Sequence, residues 1–575
     1  MNSEIKDLLK FNCIKEVCSP PHVVNPLTVS VNDDGKQRLI LDLRHVNKHI
    51  PHAYVKYDDW RVFENFVTID GWNFKFDLKK GYHHFDMHPD VQKYLGFAWV
   101  IDNTKRYFVF TVLVFGLSPA PRIFTKMLRP LTSYWRGLGI KIAVYIDDGA
   151  GSDKDNLLAR QHSKQVKNTL IQAGFVVNTE KSIWEPARVM TWLGITLDTV
   201  TNEYYIPHNR VVKIKTLITH LLSSPYTTAR KIAQLVGSII SMKFVIGNVV
   251  SLKTRYLYKI IDSCNNWDTK INVTNYNDAL GEIFFWKNNL DALNVKKING
   301  NDKPFNFNVH SDTSDNAVGV ITDNGIRCHR NLLREERAQS STYRELMAVL
   351  YGIQTLEHLF AGQGIKWNVD NYASSAIIKK GSGKLHLHKI ALEIFEISRR
   401  NCIDLIVKWV PREYNKIADI LSKYVDVDDW EISEEFFLHL YGLWGPFSVD
   451  RFANGHNKKV YRFYSRFFEK GSEGVDAFAF SWSNENNLFV PPINDLPRVI
   501  KRFQREKVCG VLVVPFWPSA AFWPLLRKNK SWENFVEDTR VFPRGRNIIK
   551  PGNCPFSLLG SENSRSPILA LKIRS

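Results

Sequence analysis

Lys141-Ile142-Ala143-Val144-Tyr145-Ile146-Asp147-Asp148-Gly149 is the stretch on which the fold turns. Character alternates from Lys141 to Tyr145, the two-residue period of a half-buried β-strand. Asp148-Gly149 is turn chemistry, so two adjacent acids are expected at the tip of a hairpin. A third acid, Asp77, ends another strand-like run, Phe74-Lys75-Phe76-Asp77-Leu78. Three carboxylates from two strands can hold a pair of divalent cations about 4 Å apart, which suits displacement at phosphorus. Taken alone, Asp-Asp-Gly is an ordinary solvated turn. The rest of the chain has to decide between the two.

The bulk composition narrows the field. The chain has 575 residues, too many for one core, and length suggests roughly three or four domains. Its net charge of +19, from 77 basic and 58 acidic residues, favours a polyanionic partner, because each neutralised phosphate releases counterions. Seven Cys, none in Cys-x-x-Cys spacing, argue against a disulfide framework or zinc knuckle. They fit a reducing, intracellular compartment, cytoplasm or nucleus. The first residues, Met1-Asn2-Ser3-Glu4-Ile5-Lys6-Asp7, lack the apolar core of a signal peptide. No apolar run nears the roughly 20 residues of a bilayer span, so no membrane partner is expected.

Around the two acidic strands lie further motifs. Phe76-Asp77-Leu78-Lys79-Lys80-Gly81-Tyr82-His83-His84 comes first, then Phe115-Gly116-Leu117-Ser118-Pro119-Ala120-Pro121-Arg122-Ile123-Phe124, then Tyr145-Ile146-Asp147-Asp148. In this order and spacing they resemble the catalytic core of reverse transcriptases. The resemblance implies a right-hand polymerase whose Asp77, Asp147 and Asp148 hold Mg²⁺. Gly116 would lie in the template-and-nucleotide loop. Tyr82 would block a 2′-hydroxyl by overlap, so that the product is DNA. The segment Arg38 to Lys48 resembles the fingers, with Arg38 on the nucleotide triphosphate and Lys36 as a second cation. Lys181 matches a lysine that protonates the leaving pyrophosphate. Trp192-Leu193-Gly194-Ile195 resembles the primer grip, the hairpin that holds the growing 3′ end.

Local patterns supply the expected elements here. Glu4 to Ile14 reads as an amphipathic helix, and residues 25–31 and 38–44 as a hairpin about an Asp33-Asp34-Gly35 turn. Ser118-Pro119 reads as a cap and first turn, followed by an apolar stripe of Ile123, Phe124, Met127, Leu128 and Leu131. A second helix is expected from Asp155 to Ala173, stopped by Gly174. Arg230 to Met242 is amphipathic, suiting a thumb helix on duplex or a plain bundle helix.

A second acid set follows. Phe305 to Asp312 reads as a strand ending in an acid, with strands at 317–321 and 326–329 about Asp323-Asn324-Gly325. A helix from about Ser341 contains Glu345. Trp367-Asn368-Val369-Asp370 is another strand ending in an acid, and Asn415 to Asp419 opens a short helix. Each acid has a local alternative; Thr342-x-x-Glu345, for instance, is a capping box. In this order, however, Asp312, Glu345, Asp370 and Asp419 resemble the ribonuclease H set, which binds two Mg²⁺. The family's histidine before the last acid is missing, and the loop reads Val410-Pro411-Arg412-Glu413-Tyr414.

The last third resembles the region after ribonuclease H in DIRS-type retrotransposons and, more distantly, phage-type adenine-N6 methyltransferases. Those enzymes use Asn-Pro-Pro-Tyr, where this chain has Val490-Pro491-Pro492-Ile493. A methylase-like fold without methylase activity is expected, with a tail after Val541 looping over the surface.

The expected fold class is therefore α+β multidomain: a right-hand polymerase, a ribonuclease H-like α/β domain and a methyltransferase-like α/β module. Expected boundaries are 1–215 for fingers and palm, 216–302 for thumb and connection, 303–430 for ribonuclease H, 431–530 for the degenerate module and 531–575 for the tail. The expected function is RNA-directed DNA polymerase with ribonuclease H, from a DIRS-like element, a gypsy-like one being the runner-up. The alternative is a catalytically dead nucleic-acid-binding relic. Implied ligands are RNA template, DNA primer, RNA–DNA hybrid, dNTPs and two Mg²⁺ per site, with Mn²⁺ as substitute. A recombinase and a coat-like protein are partners implied by the family.

Overall fold

The computed structural model describes residues 2–31, 37–51, 53–298, 305–424, 430–543, 548–551, 559 and 566–575. The chain divides into two compact units, residues 1–302 and 303–575.

In the first unit, the sheet that matters runs in the order Ile142–Tyr145, Asp148–Asp153, Trp72–Asp77, Ile183–Ala187. Its strands are antiparallel, with Asp77 opposite Asp148. Helices Ala120–Gly137 and Asn156–Gln172 contribute to one core with it, through Phe74, Phe76, Phe124, Leu128, Trp135 and Val166. Two glycines admit the large rings. A Cβ on Gly149 would lie 2.2 Å from the Phe76 ring, and one on Gly151 2.2 Å from that of Phe74.

Several expectations change in detail. The hairpin turns on Ile146-Asp147, with Ile146 at φ 54°, while Asp148 and Gly149 already belong to the returning strand. Cross-strand packing overrides the local Asp-Gly signal. The first helix is Asn2–Lys10; Ile14 instead opens strand Ile14–Val17, which pairs with Thr104–Phe110. The fingers hairpin is Leu27–Val31 against Gln37–Leu41, and its second strand stops before Asp42, which accepts hydrogen bonds from Arg44 instead. The Asp33-Asp34-Gly35 turn and Lys36 lie outside the described residues. Ser118 does not cap its helix; its N–H donates to Asn47. Met127, expected in the apolar stripe, is exposed. The 215/216 boundary falls inside helix His208–Ser223, so the helical part of this unit begins earlier.

Two five-stranded sheets lie among the described residues of the second unit. One runs Arg327–Asn331, Ala317–Thr322, Phe307–Thr313, Gly364–Val369, Asp404–Trp409. Its first three strands are antiparallel, and the last two run parallel to Phe307–Thr313. Helices Ser341–Thr355 and Leu385–Arg400 share its core through Leu346, Val349, Ile390 and Ile394. Helix Lys416–Ser422 comes so close that a Cβ on Gly319 would meet the Ser422 nitrogen at 2.6 Å.

The other sheet runs Val449–Asp450, Asn486–Phe489, Cys509–Pro515, Ile568–Arg574, Val536–Phe542. The first three strands are parallel, and Ile568–Arg574 enters antiparallel between Cys509–Pro515 and Val536–Phe542. Val511 to Val514 are all buried, as expected of a strand covered on both faces. Two residue sets cover it. Leu496, Val499, Ile500 and Phe503 pack with Leu512 and Val514, while Phe436, Phe437 and Leu440 pack with Val511 and Val513. This corrects the expected surface tail: Ile568, Leu569, Ala570, Leu571 and Ile573 are buried. Pro, Gly and Asn before the strand drew attention from the short apolar run within it.

Candidate active sites

The first site forms where strands Trp72–Asp77 and Asp148–Asp153 meet. Asp77 and Asp148 are cross-strand partners, and the Asp147 carbonyl accepts the Leu78 N–H at 3.0 Å. Burial, then the charges of Asp147 and Asp77, push the Asp148 carboxyl up to about 7, against Lys181 and Lys75. The Asp77 carboxylate accepts from Asn178 Nδ2 at 3.0 Å and pairs with Lys181 Nζ at 3.4 Å. Gly81 leaves room for Asp147: a Cβ there would lie 3.2 Å from Asp147 Oδ2.

The other expected residues gather nearby. Tyr82 is half-buried, its ring 4.7 Å from that of Phe115 and 5.6 Å from that of Phe124. Burial and then Asp147 push its phenol up to about 12. Gly116 has φ +97°, and a Cβ there would lie 2.7 Å from the Leu41 carbonyl oxygen. Asn47 pins this loop, donating to the Gly116 carbonyl at 2.8 Å and accepting from the Ser118 N–H at 2.9 Å. Arg38 pairs with Ser30 in the fingers hairpin through its backbone; its side chain lies outside the described residues. Sequence reasoning gave no role to Asn47, Asn178 or Lys75. Lys75 lies two residues before Asp77, and its Nζ donates to the Thr191 carbonyl at 2.7 Å.

The second site is tighter. One oxygen from each of Asp312, Glu345 and Asp370 lies within 4.8 Å of the others, the one such trio among the described residues. Asp77, Asp147 and Asp148 do not form such a trio; Asp77 instead pairs with Lys181 and accepts from Asn178. Burial, then Asp312 and Asp370, hold the Glu345 carboxyl well above its usual range. Burial raises Asp312 to about 6 despite the hydrogen bond from Ser422 Oγ at 2.5 Å. Glu345 does not cap its helix. Ser340 does that, while Glu345 Oε1 accepts from Thr313 and Oε2 is buried without a hydrogen-bond partner.

Asp419 behaves differently. Burial opposes its charge, but Lys423 Nζ at 2.6 Å and Arg412 Nη2 at 2.5 Å outweigh it and hold the carboxyl low. Arg412, in the loop Val410 to Tyr414, thus reaches the last acid of the second set. A polar network also went unread: Asn415 joins His310 at 3.1 Å, and Asn368 Nδ2 meets the other His310 nitrogen at 3.2 Å.

The trio Asp312, Glu345 and Asp370 suits a divalent cation. Clustered, desolvated carboxylates repel one another, and a dication relieves that repulsion directly. The unpartnered Glu345 Oε2 is the kind of buried atom a ligand satisfies.

Comparison with known proteins bears on the first site. Residues 29–197 match the family model described as reverse transcriptase (RNA-dependent DNA polymerase). A reverse transcriptase domain occupies this segment. It contains Asp77, Asp147, Asp148, Tyr82, Gly116 and Lys181. The chain is also similar to the putative enzymatic polyprotein of Cassava vein mosaic virus, 24% identical over 447 residues, 72% of this chain and 62% of that protein. To the Pro-Pol polyprotein of Simian foamy virus type 3 (strain LK3) it is 27% identical over 182 residues, 31% of this chain and 15% of that one. It thus spans less than two thirds of either relative. Among solved structures, the foamy viral protease-reverse transcriptase in complex with dsDNA aligns over 71% of this chain and 82% of that one, at 19% identity and TM-score 0.44. The same enzyme in complex with RNA/DNA hybrid aligns over 71% and 52%, at 17% identity and TM-score 0.44. No helix among the described residues is long and apolar enough to cross a membrane.

Proposed function

We propose that this chain is an RNA-directed DNA polymerase joined to a ribonuclease H, from a retroelement. The observation that carries the proposal is the pairing of Asp77 with Asp148 inside the reverse transcriptase segment, with Asp148 raised by burial and by its neighbours' charge. The second acid trio extends it to hydrolysis of the RNA strand of a hybrid. Bound Mg²⁺, or Mn²⁺ in its place, would supply charge neutralisation and Lewis acidity at both sites.

The chain's own groups do the rest. Asp77, Asp147 and Asp148 would hold the cations in the polymerase, and Asp312, Glu345, Asp370 and Asp419 would do so in the nuclease. The packed Tyr82 ring has little freedom to yield to a ribose 2′-hydroxyl. Gly116 lets the nucleotide loop approach strand Gln37–Leu41. Arg38 binds the triphosphate. Lys181, within reach of Asp77, donates the proton that the leaving pyrophosphate takes up. Arg412 and Lys423 orient Asp419.

The module after the nuclease is a methylase-like fold without methylase chemistry. Besides lacking the Asn and Tyr of the gripping turn, it commits the Pro491 carbonyl to Trp430 Nε1 at 3.2 Å. This module favours a DIRS-like source, for which a tyrosine recombinase reading frame beside the gene is expected and an integrase frame would favour a gypsy-like one.

The test is primer extension on poly(rA)/oligo(dT) with Mg²⁺ or Mn²⁺. Wild type and Asp312→Asn should extend, and Asp147→Asn should not. Wild type, but not Asp312→Asn, should degrade the RNA of a hybrid. An inert wild type would mark a nucleic-acid-binding relic.

A further inference from the structure

Resting on the polymerase reading above, we infer that Arg210 is a positioning residue that locks the 3′-end-holding hairpin to the helix behind it. The hairpin is Val189–Trp192 against Ile195–Asp198, turning at Leu193 (φ 42°) and Gly194 (φ 73°). Three side chains from three other elements donate to its carbonyls. Lys75, from the strand that ends in Asp77, donates to Thr191 at 2.7 Å. Trp60 Nε1 donates to Trp192 at 3.0 Å. Arg210, from helix His208–Ser223, donates to Gly194 through Nη1 at 2.5 Å.

The other arm of Arg210 makes the lock. Its Nη2 donates to Ser241 Oγ at 2.7 Å, at the C-cap of helix Ala229–Ile240. Ser241 Oγ in turn donates to the Ser238 carbonyl at 2.6 Å. One half-buried guanidinium therefore spans turn and helix, a fixed fork that an ammonium cannot reproduce. Gly194 is matched to it, since a Cβ there would lie 2.5 Å from Arg210 Nη1. Beside the fork opens a groove of about 400 Å³ lined by Arg210, Lys213, Gln234, Gly237, Ser238 and Ser241. Lys75 and Arg210 together link strand Trp72–Asp77 to helix Ala229–Ile240 through the hairpin. Duplex lying on that helix would then set where the primer end stands relative to Asp77 and Asp148.

The experiment compares wild type, Arg210→Lys, Arg210→Met and Gly194→Ala in primer extension, with circular dichroism melting as the control for folding. Arg210→Met should lower kcat about 10- to 100-fold, as misplaced reacting groups do. Its KM for dNTP should change little, and products should shorten. Arg210→Lys should recover only part, and Gly194→Ala should resemble Arg210→Met. The salt dependence of primer–template affinity should keep its slope. A slope reduced by about 1 with kcat intact would overturn the inference and make Arg210 a direct phosphate contact. Unchanged kinetics in folded variants would also overturn it. An inert wild type would instead fell the polymerase reading, and this inference with it.

Discussion

Asp148 is where charge and burial compete most plainly. Burial and its acidic neighbours raise its pKa from the 3.8 usual for an aspartate to about 7, so the folded chain retains a proton that the unfolded chain releases. In metal-free protein its stabilising contribution is full below about pH 4 and is lost as pH rises to about 7. Metal-free wild type should therefore lose more stability between pH 5 and 8 than Asp148→Asn, followed by thermal melting in chelator. Mg²⁺ should narrow that gap by binding the charged form. Tyr82→Val should raise ribonucleotide incorporation relative to deoxyribonucleotide by about 10- to 100-fold, measured as the ratio of kcat/KM values. Asp77, Asp312 and Asp370 were legible in the sequence because each ends a strand-like run. Lys75 and Arg210 were not, because each answers a backbone carbonyl far along the chain, and a carbonyl carries no residue-specific signal.

At the scale of elements, strand periodicity was a sound guide and turn chemistry a poorer one. Asp148-Gly149 has the composition of a hairpin turn, but pairing with Trp72–Asp77 requires Gly149 inside the strand, where Phe76 fills the space a side chain would take. Gly149→Ala or Gly151→Ala should cost about 1–3 kcal/mol of stability through overpacking. Pairing Gly151→Ala with Phe74→Leu should recover part of that loss in denaturant titration. Thr342-x-x-Glu345 likewise has the composition of a capping box, yet Ser340 caps the helix and Glu345 lies beside Asp312 and Asp370, as the acid set required.

For the whole molecule, the acid-bearing strands and helices of both units could be read from sequence because their patterns are local. The final sheet could not, since its inserted strand follows a Pro- and Gly-rich stretch and reveals itself only by its partners. Deleting residues 568–575 should leave the edges of Cys509–Pro515 and Val536–Phe542 unpaired, exposing apolar surface. Limited proteolysis should then degrade residues 430–567 while leaving 1–302 resistant. That strand also imposes an order on biosynthesis. A nascent chain from which residues 568–574 have not yet emerged holds the buried, apolar strand Cys509–Pro515 with one edge open. Stalled or frameshifted translation products would thus be sticky and short-lived, and only a chain translated through residue 574 can seal the sheet.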